Sequence, residues 1–333
     1  MTARAFITGI GGQDGTYLAE RLVGDGLEVH ALVLAAEGHP AHCPSEVVLH
    51  TGDLGDVEAT RRLLLEVAPR EVYNLAAISS VAQSWEEPDR TAHVNGHAAV
   101  ALMESARRVG DVRLVQASSA EIFGEPTEAP QTESTPVRPV NPYGAAKAFA
   151  HLSAGVYRQR GQLVSSAILY NHESPRRHER FVTRKITSTV AAIARGDADE
   201  LVLGNLDARR DWGWAPDYVD AMVRAARADE PGDYVVATGR AHSVRELVAA
   251  AFAAADVSDW EPLVRQDERF FRPADPTELV GDATRAREVL GWAPTVAFEI
   301  RYSSRTASRG APSAMSSTAA STPVRSRPYV QWK

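Results

Sequence analysis

The first half of the chain alternates short apolar runs with amphipathic segments, and this alternation predicts the fold. The apolar runs predict strands at residues 3–8, 28–34, 47–50, 71–75, 113–117 and 163–169. Apolar positions that recur every three to four residues predict helices at 15–25, 57–67, 91–109 and 144–160. Strands alternating with helices of about 10–20 residues indicate parallel βαβ units. The predicted fold class is therefore α/β, a doubly wound parallel sheet with its ligand crevice at the carboxyl ends of the strands.

The second half is less regular and predicts a smaller lobe. Its pattern favours strands at 201–203 and 234–237 and helices at 181–195, 216–228, 243–255 and 282–290. Ser243 with Glu246 forms a capping box that begins one of these helices, and Gly291 ends the last. We predict a sheet domain of residues 1–170 with returns to the sheet near 214–240, and an interleaved C-terminal lobe of residues 171–213 and 241–299.

The composition changes abruptly after about residue 300. The segment 300–333 consists mostly of Ser, Thr, Ala, Pro and Arg, and it carries six basic residues and no acidic one. Such a segment buries too little apolar surface to offset the entropy lost on ordering. It is predicted to be a disordered or loosely attached tail, and its purely basic composition equally suits a shifted reading frame. Both interpretations stay open.

Charge and composition limit the classes of partner. The chain has a net charge of −7, and residues 1–299 alone carry 30 basic and 43 acidic residues, or −13. An acidic body repels nucleic acid and anionic membrane surfaces, so neither is an expected partner. No run reaches the roughly 18 apolar residues of a membrane span, and the chain enters a strand too early for a signal peptide. The single cysteine, Cys43, excludes an intrachain disulfide and a cysteine-based zinc cage. We therefore predict a cytoplasmic protein with no metal site.

Three glycines between the first strand and the first helix point to a dinucleotide. Gly9, Gly12 and Gly15 are spaced G-x-x-G-x-x-G. The first glycine permits a tight turn, the second lets a pyrophosphate approach the backbone, and the third lets the helix pack on the strand. Because this spacing occurs between a strand and a helix, it predicts a Rossmann-type cofactor site. A plain structural turn is the alternative.

Residues at the ends of the third and fourth strands extend this predicted site. Asp53 could accept a hydrogen bond from an adenine amino group, or it could cap the helix at 57–67, and both roles can hold together. Small residues at the end of the fourth strand would let a cofactor lie flat across the sheet. The predicted contacts at these two strand ends are Asp53, Leu54, Leu75, Ala76, Ala77 and Ser79.

The end of the second strand bears on which nicotinamide dinucleotide is bound. A 2′-phosphate calls for Arg or Lys at this point, whereas a free 2′-hydroxyl calls for Asp or Glu. No basic residue occurs between Arg21 and Arg61, and Glu37 could accept from a ribose hydroxyl. These residues leave NAD and NADP equally open.

A tyrosine and a lysine at helical spacing are the strongest catalytic signal. Tyr143 and Lys147 are four residues apart, which places them on one helical face. The ammonium is expected to lower the phenol pKa from about 10, so that a phenolate can act as a base near neutrality. Upstream, Ser119 can bond the same substrate oxygen, and Glu121 adds a carboxylate. An ordinary amphipathic helix is the alternative.

The scarcity of lysine supports this choice of residues. The chain has three lysines and 33 arginines, so a lysine that persists suggests a position needing a compact ammonium. Lys147 and Lys185 are such candidates, although either one could be a chance surface residue.

Taken together, these residues resemble the extended short-chain dehydrogenase/reductase superfamily. Segments downstream are similar to the GDP-mannose 4,6-dehydratase family within it, and so is the glycine loop with Gln13 and Asp14. The similarity covers roughly residues 3–299. The downstream segments that carry it are 170–177, 181–186, 210–213, 271–273, 281–282 and 290–292.

The resemblance implies a hydro-lyase that acts on GDP-mannose by internal oxidation and reduction, with NADP as cofactor. Tyr143 would take the proton of the sugar 4-hydroxyl while hydride passes from C4 to the nicotinamide. Glu121 would then remove the C5 proton and assist loss of water, and hydride would return to C6. The product would be GDP-4-keto-6-deoxymannose. The alternatives are a related sugar-nucleotide reductase or epimerase, and a non-catalytic dinucleotide-sensing protein.

The resemblance also implies binding roles. Tyr143, Lys147, His172 and Arg177 match cofactor contacts, with Gln13 and Asp14 of the glycine loop. The substrate diphosphate contacts would be Asn171, Lys185, Arg210 and Arg272.

The chain departs from the family pattern at two places inside the site region. Ala120 stands where the family has a serine. Residues 33–36 are Val-Leu-Ala-Ala, where the family has an Arg-rich stretch that grips NADP and a neighbouring subunit. A homodimer is therefore the expected assembly, and tetramer formation is left open.

Overall fold

The computed structural model describes residues 2–270 and 278–298 of the chain. The predicted tail at 300–333 and the predicted diphosphate contact Arg272 lie outside these described residues. The strands are β1 (Arg4–Thr8), β2 (Glu28–Val33), β3 (Val48–Thr51), β4 (Glu71–Asn74), β5 (Arg113–Ala117), β6 (Leu163–Leu169), β7 (Asn171–Glu173), β8 (Leu201–Leu203), β9 (Arg209–Trp214), β10 (Asp233–Val236), β11 (Ala241–Ser243), β12 (Val264–Gln266) and β13 (Glu278–Leu279).

The helices connect these strands. They are α1 (Gln13–Gly24), α2 (Val57–Val67), α3 (Val81–Glu86), α4 (Pro88–Thr91), α5 (Ala99–Val109), α6 (Pro142–Gln159), α7 (Val182–Arg195), α8 (Ala215–Arg227), α9 (Val244–Ala254) and α10 (Thr284–Leu290). A π-helical segment, Ala92–Ala98, joins α4 to α5. Short 3₁₀ turns lie at Ala120–Ile122, Glu261–Leu263 and Glu268–Phe270.

Within the described residues the central sheet has seven parallel strands in the order β3-β2-β1-β4-β5-β6-β10. The order reverses between β1 and β4, and this switch point opens a crevice at the carboxyl ends of the strands. The predicted doubly wound parallel sheet is confirmed.

Six strands of this sheet are almost entirely buried, whereas the edge strand β3 is partly exposed, and this burial explains why most strand positions are apolar. Ile7 of β1 belongs to a core cluster with Leu18 of α1 and Met222 of α8. Its neighbour Phe6 belongs to a second cluster with Leu64 of α2. Alternate residues of one strand therefore anchor helices on opposite faces of the sheet and hold the strand ends in fixed positions.

Two smaller sheets follow the sixth strand. One has the order β11-β9-β13 with β7 also paired to β9, and the other pairs β8 with β12. In the first, His172 of β7 pairs with Gly213 of β9. A Cβ at Gly213 would overlap the ring of Tyr218, so the tight β9–α8 approach requires glycine there.

The predicted helix at 91–109 differs from the structure in its regularity. The chain instead forms α4, the π-helical segment and α5. The side chain of Asn95 accepts a hydrogen bond from Ile78 N (2.8 Å) and donates one to Ile78 O (3.0 Å). The widened turn thus positions an amide that ties the helix to the loop after β4, a tertiary interaction that periodicity does not reveal.

No helix within residues 2–270 and 278–298 combines the length and the apolar character needed to cross a bilayer.

Candidate active site

The glycine loop forms a cradle with no room for side chains. Gly9 has φ +77°, and a Cβ on it would lie 2.7 Å from Ala76 N. A Cβ on Gly15 would overlap the Gly9 carbonyl oxygen, and Gly12 N donates to that oxygen at 3.1 Å. Gly12 begins α1 without any side-chain cap, so amides of the first helical turn face the crevice. This backbone fits a pyrophosphate, which needs close approach and N–H donors.

A buried chain of hydrogen bonds runs across the strand ends beneath this crevice. Thr8 Oγ1 donates to Asn74 Oδ1 (2.7 Å), and Asn74 Nδ2 donates to Gln116 Oε1 (2.7 Å). Gln116 Nε2 and Lys147 Nζ both donate to the carbonyl oxygen of Ala117, at 2.9 and 2.8 Å. The chain links β1, β4 and β5 to the helix that carries Lys147, so it fixes the lysine relative to the glycine loop.

The strand-end residues predicted to contact the cofactor lie around the same crevice. Asp53 Oδ1 accepts from Gly55 N (2.8 Å), whereas the cap of α2 is Asp56, whose Oδ1 accepts from Ala59 N (3.0 Å). The alternative role of Asp53 as the helix cap is therefore wrong. Leu54 is buried, and Leu75, Ala76 and Ala77 are half-buried.

Ser79, the remaining residue of that predicted set, connects the strand ends to the lobe. Arg180 Nη2 donates to Ser79 Oγ at 3.4 Å. Sequence reasoning did not single out Arg180, since no local pattern marks its contact with a loop 101 residues earlier.

Tyr143 and Lys147 project from the first turns of α6, as the spacing predicted. Lys147 is buried, and its Nζ lies 5.9 Å from the centroid of the Tyr143 ring. The ammonium donates to Ala117 O, while the phenol interacts with the Ser119 hydroxyl. The structure therefore brings together the serine, tyrosine and lysine that the sequence predicted.

The prediction that Lys147 lowers the pKa of the Tyr143 phenol is wrong when only the protein's own side chains are considered. Burial raises the pKa of Tyr143 to about 12; the hydrogen bond with Ser119 opposes this rise, and the negative charge of Glu121 adds to it. Burial also lowers the pKa of Lys147 to about 8. A water-poor site disfavours the phenolate and the ammonium alike, and Lys147 directs its ammonium to a carbonyl. The sequence pattern identified the pair but not its protonation.

Glu121 is tied to the helix that carries the tyrosine. It lies in the 3₁₀ turn after β5, and its Oε2 accepts from Asn141 Nδ2 at 2.9 Å. Asn141 is the N-cap of α6, and its Oδ1 accepts from Gly144 N at 2.7 Å. One asparagine thus holds both the helix start and the carboxylate, which keeps Glu121 within electrostatic reach of Tyr143. Sequence reasoning missed Asn141, although Asn-Pro before a helix is a cap signal.

Buried His172 and half-buried Asp14 form a pair that joins α1 to β7. His172 Nδ1 donates to Tyr170 O (2.7 Å), and His172 Nε2 lies 2.8 Å from Asp14 Oδ2. Because one partner is a carbonyl and the other a carboxylate, the ring matches a doubly protonated imidazolium. Burial would lower the pKa of His172, but the charge of Asp14 raises it above 6.5. Burial would likewise raise the pKa of Asp14, but His172 lowers it below 3.8.

Further side chains join the same two elements. Gln13 Nε2 donates to His172 O (3.1 Å), and Ser174 Oγ donates to Gln13 Oε1 (2.8 Å). Arg176 Nη1 donates to Thr16 Oγ1 (3.1 Å). The predicted cofactor residues Gln13 and Asp14 therefore direct their side chains to the protein itself, and they fix the glycine loop against the start of the lobe.

The stabilising effect of the Asp14–His172 pair should depend on pH. Because the pKa of His172 is raised in the folded protein, its contribution to the free energy of unfolding is complete below pH 6.5. That contribution is lost as the pH rises through the pKa of the folded state. The lowered pKa of Asp14 means that its contribution is lost as the pH falls below 3.8. A double-mutant cycle with Asp14→Asn and His172→Asn, read from unfolding free energies, should give a coupling of about 0.5–3 kcal/mol between these limits. A coupling that stays constant as the pH is raised past 6.5 would contradict the ion pair.

The predicted cofactor contact Arg177 lies in the segment between β7 and α7. Arg177 forms an ion pair with Glu173 (3.2 Å) and stacks 3.7 Å above the ring of Phe181. Its positive charge acts on Tyr143, Asp14 and His172, so it lies close to the catalytic residues.

The predicted substrate contacts that fall within the described residues lie on β7, α7 and β9. Asn171 is half-buried in β7 and pairs with Trp212. Lys185 Nζ lies 4.2 Å from the centroid of the Phe270 ring, and burial lowers its pKa. Arg210 is buried in β9 and donates to Arg209 O at 2.7 Å.

Comparison with known proteins agrees with this geometry. The family model described as GDP-mannose 4,6 dehydratase matches residues 6–303. The chain belongs to this family. GDP-mannose 4,6 dehydratase 2 of Arabidopsis thaliana is 44% identical over 313 residues, which cover 89% of this chain and 83% of the plant protein. The human GDP-mannose 4,6 dehydratase is 41% identical over 327 residues, covering 89% and 88% of the two chains.

Solved structures extend the comparison to the fold. The UDP-glucose 4-epimerase of Thermus thermophilus, determined in complex with NAD, superimposes with a TM-score of 0.79 at 30% identity. The match covers 91% of this chain and 98% of the epimerase. The predicted resemblance to the dehydratase family is thus confirmed, and its fold is shared with sugar-nucleotide epimerases.

Proposed function

We propose that this member of the GDP-mannose 4,6-dehydratase family converts GDP-mannose into GDP-4-keto-6-deoxymannose. The observation that carries the proposal is the Glu121 carboxylate, held 2.9 Å from the N-cap amide of the helix that bears Tyr143. A reductase or an epimerase needs a tyrosine base but no carboxylate beside it. A 4,6-dehydratase needs both, because proton removal at C5 follows oxidation at C4.

A nicotinamide dinucleotide fits the crevice. The glycine cradle would hold its pyrophosphate, and the small side chains of Ala76 and Ala77 leave space across the strand ends. When bound, the oxidised nicotinamide supplies a hydride acceptor and a positive charge that favours the phenolate form of Tyr143. The family resemblance suggests NADP, and NAD is the alternative; the two differ only at the adenosine ribose.

Tyr143 would act as the base in the first step. Its oxygen removes the proton of the sugar 4-hydroxyl while C4 gives up hydride. Ser119 donates a hydrogen bond to the same sugar oxygen, which orients it toward the phenol. Burial lowers the pKa of Lys147 to about 8, so the side chain is mainly protonated at neutral pH and donates to the Ala117 carbonyl. The hydrogen bond with Ser119 and the positive charge of Arg177 oppose the rise in the pKa of Tyr143.

Glu121 would act in the second step. The 4-ketone makes the C5 proton acidic, and the carboxylate of Glu121 accepts that proton. The same proton passes to the departing 6-hydroxyl, which leaves as water. Hydride then returns to C6 while C5 regains a proton, which balances the proton that Tyr143 took from the 4-hydroxyl. The sugar thus gains a 4-ketone and loses a 6-hydroxyl, one water is released, and no net oxidation occurs.

The lobe of residues 171–213 and 241–299 would hold the GDP portion. Lys185, Arg210 and Arg272, with Asn171, would supply the groups for the diphosphate. Guanidinium groups bind phosphate oxygens in bidentate geometry, and an acidic body must concentrate its cations locally to hold an anion.

Incubation with GDP-mannose and a trace of NADP or NAD tests the proposal. A 4-keto-6-deoxy sugar nucleotide detected by NMR, formed in large excess over the dinucleotide, is the expected result. Consumption of reduced dinucleotide in proportion to product would indicate a reductase. Tight dinucleotide binding without any turnover would indicate a sensing protein.

We also propose that the protein is a cytoplasmic homodimer. The free cysteine Cys43 supports a reducing compartment.

On α6, Phe149, Leu152 and Val156 are 54–57% exposed and lie on one helical stripe. Trp85 of α3, a helix that packs on α6, is 50% exposed. An apolar stripe of this kind on a sheet-covering helix is typical of a surface that packs against a second copy.

Substitutions that introduce positive charge on this apolar stripe should dissociate the dimer. Wild-type protein is expected to show about twice the chain mass of 36.0 kDa by light scattering, and Leu152→Lys with Val156→Lys should shift it to the monomer. Val289→Lys is the matched control, because Val289 is equally exposed (53%) on the distant helix α10. A dimer that survives the α6 changes would place its interface elsewhere.

A further inference from the structure

A carboxylate at the end of β2 lies against the glycine loop. Glu37 closes a turn after β2 in which its N–H donates to Leu34 O (2.9 Å). Its Oε2 lies 2.8 Å, and its Oε1 3.8 Å, from the position that a Cβ on Gly11 would occupy. Both carboxylate oxygens therefore reach the loop between β1 and α1.

This is where the fold receives an adenosine ribose. In Rossmann-type sheets an acidic residue at the end of the second strand accepts hydrogen bonds from the ribose hydroxyls, whereas a 2′-phosphate requires a basic one. The two oxygens of an ionised carboxylate accept but cannot donate. For the described part of the chain, no hydrogen bond or ion pair engages the Glu37 carboxylate, so its acceptor capacity is available to a ligand.

Cations that would neutralise a 2′-phosphate are missing from this stretch of sequence. Between Arg21 and Arg61 the chain has no arginine or lysine. The two flanking arginines are engaged with carboxylates: Arg21 pairs with Asp25 and Asp220, and Arg61 pairs with Glu58. This stretch of sequence therefore offers a 2′-phosphate no arginine or lysine to neutralise it.

We infer that Glu37 makes this protein select NAD(H) over NADP(H). The inference rests on the proposed dinucleotide site and replaces the NADP suggested by the family resemblance. Glu37 accepts from the 2′-hydroxyl of NAD. A 2′-phosphate carries about −1.5 to −2 charges and offers only acceptor oxygens when ionised, so the carboxylate repels it and can form no hydrogen bond with it.

Binding of the two reduced dinucleotides to the full-length protein tests this directly. We expect the Kd of NADH, measured by nicotinamide fluorescence, to be on the order of tenfold lower than that of NADPH at low ionic strength. Added salt should narrow the difference, because it screens the repulsion of the phosphate. Tighter binding of NADPH than of NADH would overturn the inference.

The variant Glu37→Gln assigns the effect to this carboxylate. We expect it to weaken NADH binding and to tighten NADPH binding, which reduces the ratio of the two Kd values by about tenfold or more. Glu46→Gln is the matched control, because it removes the same charge from the same exposed loop and should leave the ratio unchanged. An unchanged ratio in Glu37→Gln would overturn the inference.

Measuring turnover with each dinucleotide distinguishes a failure of this inference from a failure of the proposed function. If GDP-mannose is dehydrated with NADP but not with NAD, the role of Glu37 is wrong and the dehydratase proposal stands. If neither dinucleotide binds, both are wrong. If NADH binds about tenfold tighter but no dehydration occurs with either dinucleotide, Glu37 selects the cofactor as inferred and only the dehydratase proposal fails.

Discussion

Tyr143→Phe is expected to lower kcat by about 10²–10⁴-fold with little change in dinucleotide affinity. The substitution removes the oxygen that takes the 4-hydroxyl proton and keeps the ring in place, and general base catalysis contributes a factor of this size. No reduced nicotinamide should accumulate in a single turnover, because hydride transfer from C4 requires loss of that proton. The measurements are single-turnover absorbance and a separate binding titration.

Structural damage can be distinguished from loss of the base. Tyr143 lies in the first turn of α6, whose start depends on the Asn141 cap and not on the phenol. Unfolding of Tyr143→Phe should therefore resemble that of the wild type within about 0.5–1.5 kcal/mol, the value of one hydrogen bond. Nearly normal turnover in this variant would remove Tyr143 from the mechanism.

Glu121→Gln is expected to separate oxidation from dehydration. Tyr143, Ser119 and Lys147 remain in place, so hydride should still leave C4 and reduced nicotinamide should build up. Formation of the 4-keto-6-deoxy product should fall by about 10²–10⁴-fold, because an amide cannot accept the C5 proton. The test follows nicotinamide absorbance and product formation in the same sample.

The glutamine side chain is a close replacement at this position. Its carbonyl oxygen can still accept from Asn141 Nδ2, so the cap of α6 is retained. Glu125→Gln is the matched control, since Glu125 is exposed four residues later and should show normal product formation. Product formed at the wild-type rate by Glu121→Gln would exclude the proposed elimination step, and failure to reduce nicotinamide would move Glu121 to the first step.

The long elements were predictable because local sequence decides them. The helix Val57–Val67 and the strand Leu163–Leu169 have the predicted bounds, since each combines an apolar repeat with clear end signals. The strands Asn171–Glu173 and Arg209–Trp214 were not assigned. They are polar, and each is stabilised by pairing with a partner about forty residues away, which a local window does not contain.

The same contrast between local sequence signals and long-range contacts applies to the candidate site. Gly9, Tyr143 and Lys147 stand at spacings that chemistry imposes, so they could be found by pattern. The phenol pKa could not, because burial and not the neighbouring lysine dominates it. The contact of Asp14 with His172 joins residues 158 apart, and only the fold brings them together.

The contacts between α1 and the start of the lobe would slow the release of a dinucleotide bound as proposed. Gln13, Asp14 and Thr16 are joined to His172, Ser174 and Arg176 across the mouth of the crevice. Releasing the dinucleotide by parting these two elements would break several buried interactions at once. In the proposed reaction the hydride returns to the sugar within every cycle, so turnover would not require the dinucleotide to leave, and it would behave as a prosthetic group.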